Sequence, residues 1–187
     1  MRTTIDADGS PRGSARERLL AAASDLFYAE GINVTGVDRV ASTAGVTKAT
    51  LYYNFGSKEE LVAACLRRQL DAWIATTSAM DHADAAPAIR VGRLFDALET
   101  DALNPEYHGC PFTNAAVEMR ESAAVMAVVH EYRDRLGALV RAMLGAGRTD
   151  AADAVVYLYD GAIAAVKTTG DRSHIRRARD AALRTLA

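Results

Sequence analysis

The stretch TGVDRVASTAGVTKATLYYNFGSK, Thr35 to Lys58, holds two short helical patterns on either side of Gly45. Glycine reaches the left-handed backbone that ends one helix and turns sharply into the next, so the stretch reads as a helix-turn-helix. In the first helix Val37, Val40, Ala41 and Ala44 recur at spacings of three and four and share one face. Thr35, with Asp38 three positions on, is the expected capping pair. Thr47 is placed to cap the second helix, whose inward residues are Leu51 and Phe55, with Val46 packing at the turn. Thr47, Lys48, Thr50, Tyr52, Tyr53 and Asn54 are left to face outward. Hydroxyls, a cation, an amide and phenols are groups that bond phosphate oxygens or base edges.

From Arg39 to Lys58 there is no Asp or Glu, while Arg39, Lys48 and Lys58 supply positive charge in a chain whose net charge is −2. The local field favours a polyanion although the whole molecule does not. Ser57 and Glu60 form an S-x-x-E signature for the next helix, which puts Lys58 in its first turn. A cation there opposes the helix dipole, a cost that is offset when a phosphate is the partner.

Gly45-Val46, Thr50-Leu51-Tyr52-Tyr53-Asn54-Phe55 and Ser57-Lys58-Glu59, preceded by a helix and Gly31, resemble the DNA-binding domain of the tetracycline-repressor-like (TetR) family of bacterial transcriptional regulators. The resemblance covers roughly Ala15 to Leu61; beyond that it rests on length and helix pattern. Carried over position by position, it implies that Thr47, Lys48, Thr50 and Tyr53 lie near bases or adjacent phosphates. Tyr52 and Lys58 fall on phosphates, and Arg39 is a further candidate for the DNA backbone. Asp38 stands where some members place a basic or hydroxyl residue that meets DNA, and here it reads as a cap.

Half of the 187 residues are apolar, and no apolar run approaches the length of a membrane span. The N-terminus has no pattern of an export signal, so the expected location is the cytoplasm. Cys65 and Cys110 are far apart and fit no zinc spacing, and His82, His108, His130 and His174 form no ligand series. No nucleophile-and-base pattern or phosphate-cradling glycine loop appears. The expectation is a protein that is not an enzyme and needs neither metal nor cofactor.

Taken in order, residues 1–14 read as a flexible tail, and a helix from Ala15 carries Leu19, Ala23, Leu26 and Phe27 on one face with Gly31 past its end. Three helices then enclose Leu19, Leu26, Phe27, Val37, Val40, Val46, Leu51 and Phe55. A long helix after Ser57 runs toward Met80, and the break at His82 to Pro87 precedes a helix through Val91, Leu94, Phe95, Leu98 and Ala102. Pro111 opens another helix, one more spans about Ala123 to Leu144, and Ala151 to Thr169 and Ser173 to Leu186 complete the pattern. The expected fold is all-α with about nine helices. Residues 15–57 form the three-helix DNA-binding domain, and residues 58–187 a larger helical domain for ligand binding and dimerisation.

A single helix-turn-helix makes few base contacts, and such proteins gain affinity as homodimers on paired half-sites of double-stranded DNA. Apolar stripes of Val155, Tyr159, Ala162, Ile163 and Val166, and of Ala178 and Ala182, supply the expected interface, a four-helix bundle. Arginines 176, 177, 179 and 184 around the last stripe read as a solvated or interface face rather than a second nucleic-acid patch. The middle helices bring together Phe95, Leu98, Tyr107, Phe112, Met126 and Tyr132 with the polar Asn114 and Glu118, a set suited to a small apolar or amphipathic effector. The functional expectation is a ligand-released repressor on a palindromic operator; the alternative is a helical ligand-binding or redox-sensing protein with weak or lost DNA binding.

Overall fold

The computed structural model describes residues 13–80 and 85–186, and among these the chain is nine α-helices with no strand. They are α1 (Ala15–Glu30), α2 (Val37–Thr43), α3 (Lys48–Phe55), α4 (Lys58–Met80), α5 (Pro87–Asp101), α6 (Pro111–Glu118), α7 (Ala123–Leu144), α8 (Thr149–Thr169) and α9 (Ser173–Arg184). Most of the expected tail, residues 1–12, and part of the expected break, residues 81–84 with His82, lie outside the described residues.

Local chemistry sets most of the boundaries. Ser14 closes a capping box on α1, its Oγ accepting from the Glu17 amide at 3.2 Å while Glu17 Oε2 accepts from the Ser14 amide at 2.8 Å. Thr47 Oγ1 accepts from the Thr50 amide at 3.1 Å to start α3, and Ser57 Oγ accepts from the Glu60 amide at 3.1 Å to start α4. Proline opens both α5 and α6, where its missing N–H has no role.

The chain divides into two compact units. The first holds Met1–Arg68 and Asn114–Val128 and so extends past the expected boundary at residue 57. The physical reason is burial: Leu61, Val62, Cys65 and Leu66 of α4 are shut away from solvent, and the Cys65 thiol points at the Leu20 carbonyl of α1 at 3.8 Å. Its core includes Leu19, Leu20, Phe27, Ile32, Val40, Leu51 and Phe55, whereas Leu26, Val37 and Val46 of the expected core are only half-buried.

The second unit holds Gln69–Thr113 and Val129–Ala187. Within it α8 and α5 both pack on α9. Its interior is aromatic in part: the Phe112 and Tyr132 rings stack with centroids 4.0 Å apart, Trp73 meets Tyr132 edge-on at 5.2 Å, and Phe95 meets Tyr159 edge-on at 5.7 Å. Among the described residues no helix is long and apolar enough to cross a membrane, and no group of three acidic, His or Cys side chains is placed to hold a metal ion.

Candidate nucleic-acid interface

The turn between α2 and α3 is fixed by the backbone. Gly45 has φ +66°, its amide donates to Ser42 O at 3.1 Å, and the Val46 amide donates to Ala41 O at 3.0 Å. This nested pair satisfies two of the carbonyls that the end of α2 would otherwise leave open. Arg18 of α1 secures the same turn from outside, its Nε donating to Ala44 O at 3.0 Å. With Leu51 and Phe55 buried, one face of the eight-residue α3 is anchored and the other is displayed.

On the displayed face Tyr53 is 92% exposed and Tyr52 42% exposed. Thr47 and Thr50 share a hydroxyl hydrogen bond of 2.9 Å at the start of the helix, and Lys48 beside them is exposed. Asn54, expected to face outward, is half-buried and its Nδ2 donates to Thr50 O at 2.8 Å, so its amide is used within α3. At the start of α4, Lys58 lies over the Phe27 ring, 6.0 Å from its centroid.

The expected capping pair at the start of α2 does not form. Thr35 is buried and its hydroxyl donates to Gly31 O at 2.7 Å, closing the α1–α2 loop, while Gly36 takes the N-cap position without any side-chain bond. Asp38 is therefore available, and its Oδ2 accepts from Lys48 Nζ at 3.0 Å. The hydrogen bond and charge of Asp38 push the Lys48 pKa up, so Lys48 stays an ammonium at any physiological pH. Arg39 is engaged too: its two terminal nitrogens meet the two Glu30 oxygens, each at 2.6 Å, in a fork that ties α2 to the end of α1. The run that is free of acids in sequence thus meets two carboxylates in space.

The candidate effector residues divide between the two compact units. Phe95, Leu98, Tyr107, Phe112 and Tyr132 belong to the second compact unit, and Asn114, Glu118 and Met126 to the first. Glu118 serves the α1–α2 loop, its Oε2 accepting from the Asn33 amide at 2.8 Å and its carbonyl from Asn33 Nδ2 at 3.1 Å. In the second unit Tyr132 and Tyr159 are buried, which raises both phenol pKa values, with Cys110 beside each as a further cause. Both phenols stay protonated and neutral. Burial also pushes the Cys65 thiol up to about 11, a value that disfavours the reactive thiolate.

The stripe expected at a dimer interface is covered within the chain. Val155, Tyr159, Ala162, Ile163, Val166, Ala178 and Ala182 are all buried within this one chain, because α8 and α9 turn their apolar faces to each other and to α5. They are core residues and present no open face to a second copy. The opposite side of α8, with Tyr157, Gly161, Ala164 and Thr168 at spacings of four, three and four, is exposed. Three of the four arginines of α9 are matched by acids: Arg176 with Glu99 at 2.7 Å, Arg179 with Asp96 at 3.1 Å and Arg177 with Asp171 at 3.3 Å.

Comparison with known proteins places this geometry in context. A family model described as "Bacterial regulatory proteins, tetR family" matches residues 19–65. The chain is similar to the HTH-type transcriptional activator FasR of Mycolicibacterium smegmatis, at 46% identity over 61 residues that make up 33% of this chain and 28% of that protein. It is similar also to the HTH-type transcriptional regulator RutR of Escherichia coli K12, at 42% identity over 72 residues, 38% of this chain and 34% of that protein. These matches span about a third of each curated relative. The likeness to the crystal structure of SCO4454, a TetR-family transcriptional regulator from Streptomyces coelicolor, is much longer. It covers 92% of this chain and 89% of that one, at 31% identity and a TM-score of 0.83.

Proposed function

Because this chain belongs to the TetR family of transcriptional regulators, and is a DNA-binding regulator and not an enzyme, we propose that it acts as a dimeric repressor released by a small apolar or amphipathic effector. The single observation that carries the DNA-binding role is the display of α3. A short helix anchored by Leu51 and Phe55 holds Thr47, Lys48, Thr50, Tyr52 and Tyr53 outward beside a turn locked at Gly45. Such a helix fits the major groove, with the hydroxyls, phenols and cation divided between base edges and phosphates. Lys58 and Arg39 extend the contact to the DNA backbone, Arg39 after exchanging Glu30 for phosphate.

Dimerisation uses the outer face of α8, where Tyr157 is 69% exposed and the residues that follow it at helical spacing are small. Two copies of this face can approach closely, and two α3 helices then address half-sites about 34 Å apart or at a multiple of that spacing. The effector occupies the second compact unit among Phe95, Leu98, Phe112 and Tyr132, where stacked rings offer an apolar surface and buried neutral phenols offer hydrogen bonds. An effector favouring one arrangement of α4 shifts the separation of the two α3 helices and weakens the fit to DNA. The protein works in the cytoplasm, where its operator is.

The test is selection of the purified protein against a random duplex library at near-physiological salt, with the mass of the free protein measured by sedimentation. Recovery of one inverted repeat by a dimer supports the reading. A folded monomer that retains no sequence would overturn it in favour of a ligand-binding protein whose DNA head is idle.

A further inference from the structure

The Asp38–Lys48 pair is unusual for a DNA-facing surface. A carboxylate there repels phosphate; Asp38 makes no capping bond in α2, its place in the first turn suits the helix dipole, and its ion-pair partner is the exposed Lys48. Its side chain is 74% exposed and that of Lys48 50% exposed, yet the two are joined at 3.0 Å across the gap between α2 and α3. One such bond uses one oxygen of a carboxylate that has two, and one hydrogen of an ammonium that has three. Both groups therefore keep capacity for a second partner, side by side and with opposite polarity.

That polarity has a complement in the major groove. A C·G base pair shows the cytosine N4 amino donor next to the guanine O6 acceptor, with guanine N7 as a second acceptor beyond it. N4 and O6 of one pair are hydrogen bonded to each other, at about 2.9 Å for a bond of this type, which matches the spacing of the two protein groups. An A·T pair also offers a donor beside an acceptor, but the adenine N7 acceptor lies next to the donor and the thymine methyl next to the acceptor. The carboxylate meets repulsion at the first and the ammonium meets an apolar group at the second.

We propose that Asp38 and Lys48 together read one C·G base pair in each half-site. Asp38 accepts a hydrogen bond from cytosine N4, while Lys48 donates to O6 and N7 of the paired guanine. This rests on α3 being the recognition helix, and it adds a base contact from α2. Held together before binding, the pair meets the base pair with little ordering left to do. The carboxylate also disfavours the other bases: guanine and thymine show it only acceptors or a methyl group, and the adenine N6 donor lies beside the N7 acceptor that repels it.

The experiment is duplex selection followed by sequencing with the full-length wild type, Asp38→Asn and Asp38→Ala. The wild type is expected to fix one C·G pair in each half-site by ~10-fold or more over other pairs, the low end for a well-made base contact. Asn hydrogen bonds adenine N6 and N7, so Asp38→Asn shifts that one position toward A·T, and Asp38→Ala weakens the C·G preference there alone, with Lys48 still reading guanine. Unchanged preferences at every position, with both variants binding all sequences more tightly, would overturn the proposal and leave Asp38 as a charge that only weakens binding. Recovery of no sequence by the wild type would instead remove the recognition role of α3 itself.

Discussion

Replacing Gly45 by alanine isolates the backbone chemistry on which the helix-turn-helix depends. An added Cβ at Gly45 meets no atom within 4 Å, so its effect is conformational and not steric. At φ +66° an L-residue costs ~1–2 kcal/mol relative to glycine. Alanine also reduces the freedom of the unfolded chain, which returns ~0.4–1 kcal/mol. The net expectation is destabilisation by about 1 kcal/mol, or a fall in melting temperature of roughly 2–4 °C for a chain of this size. Gly137 in the middle of α7 provides the control. Its φ is helical, and the nearest group to an added Cβ is the flexible end of Arg141 at 3.1 Å. There the same substitution removes helix-interior glycine and should stabilise by ~0.5–1 kcal/mol. Thermal denaturation followed by circular dichroism measures both. A Gly45→Ala protein that melts as high as the Gly137→Ala protein would refute the assignment of Gly45 to a left-handed turn.

Other expectations follow from single contacts. Thr47→Ala removes the cap of α3 and should cost ~1 kcal/mol of stability, while Thr47→Ser keeps the hydroxyl and should cost little; chemical denaturation of the two variants makes the comparison. Arg39 gives up Glu30 to meet phosphate, so Arg39→Ala should make DNA binding shallower in salt by a slope of about one, read from affinities over a salt series; an unchanged slope would mean Arg39 does not reach phosphate. Cys65 should resist alkylation in the folded protein at pH 7–8 and react once unfolded, because burial holds its thiol at about 11 instead of 9.0. A folded pKa above the unfolded one means the thiol contributes its stability below pH 9 and loses it as pH rises toward 11, so denaturation midpoints should decline over that interval.

What the sequence made legible was chiefly local. Gly45, Thr47, Ser57, Pro87 and Pro111 act on their own turns, so their positions alone mark where α2 to α6 begin or end. Side-chain pairing across turns was not legible in the same way. The stretch from Arg39 to Lys58 contains no acid, but Glu30 precedes Arg39 by a whole loop and Asp38 faces Lys48 only after the chain has turned. Periodicity likewise shows that Val155 to Val166 form a buried stripe, but it cannot say what covers them. Here α9 and α5 of the same chain do so, which leaves the other side of α8 exposed. The effector candidates were grouped by apolar character, yet α6 and α7 each contribute residues to both compact units, so Glu118 reaches the Asn33 loop while Phe112 stacks on Tyr132. The spacing of Asp38 from Thr35 permits a cap; burial of the Thr35 hydroxyl against Gly31 decides otherwise.

Recognition of DNA by α3 is open to titration of a fluorescent selected duplex followed by anisotropy. Such recognition predicts saturable binding at two protomers per duplex by the wild type. It predicts loss of binding by a Lys48→Ala, Tyr52→Ala, Tyr53→Ala variant whose circular dichroism is unchanged, since all three side chains are exposed and none supports the core. Undiminished binding by that folded variant would contradict it.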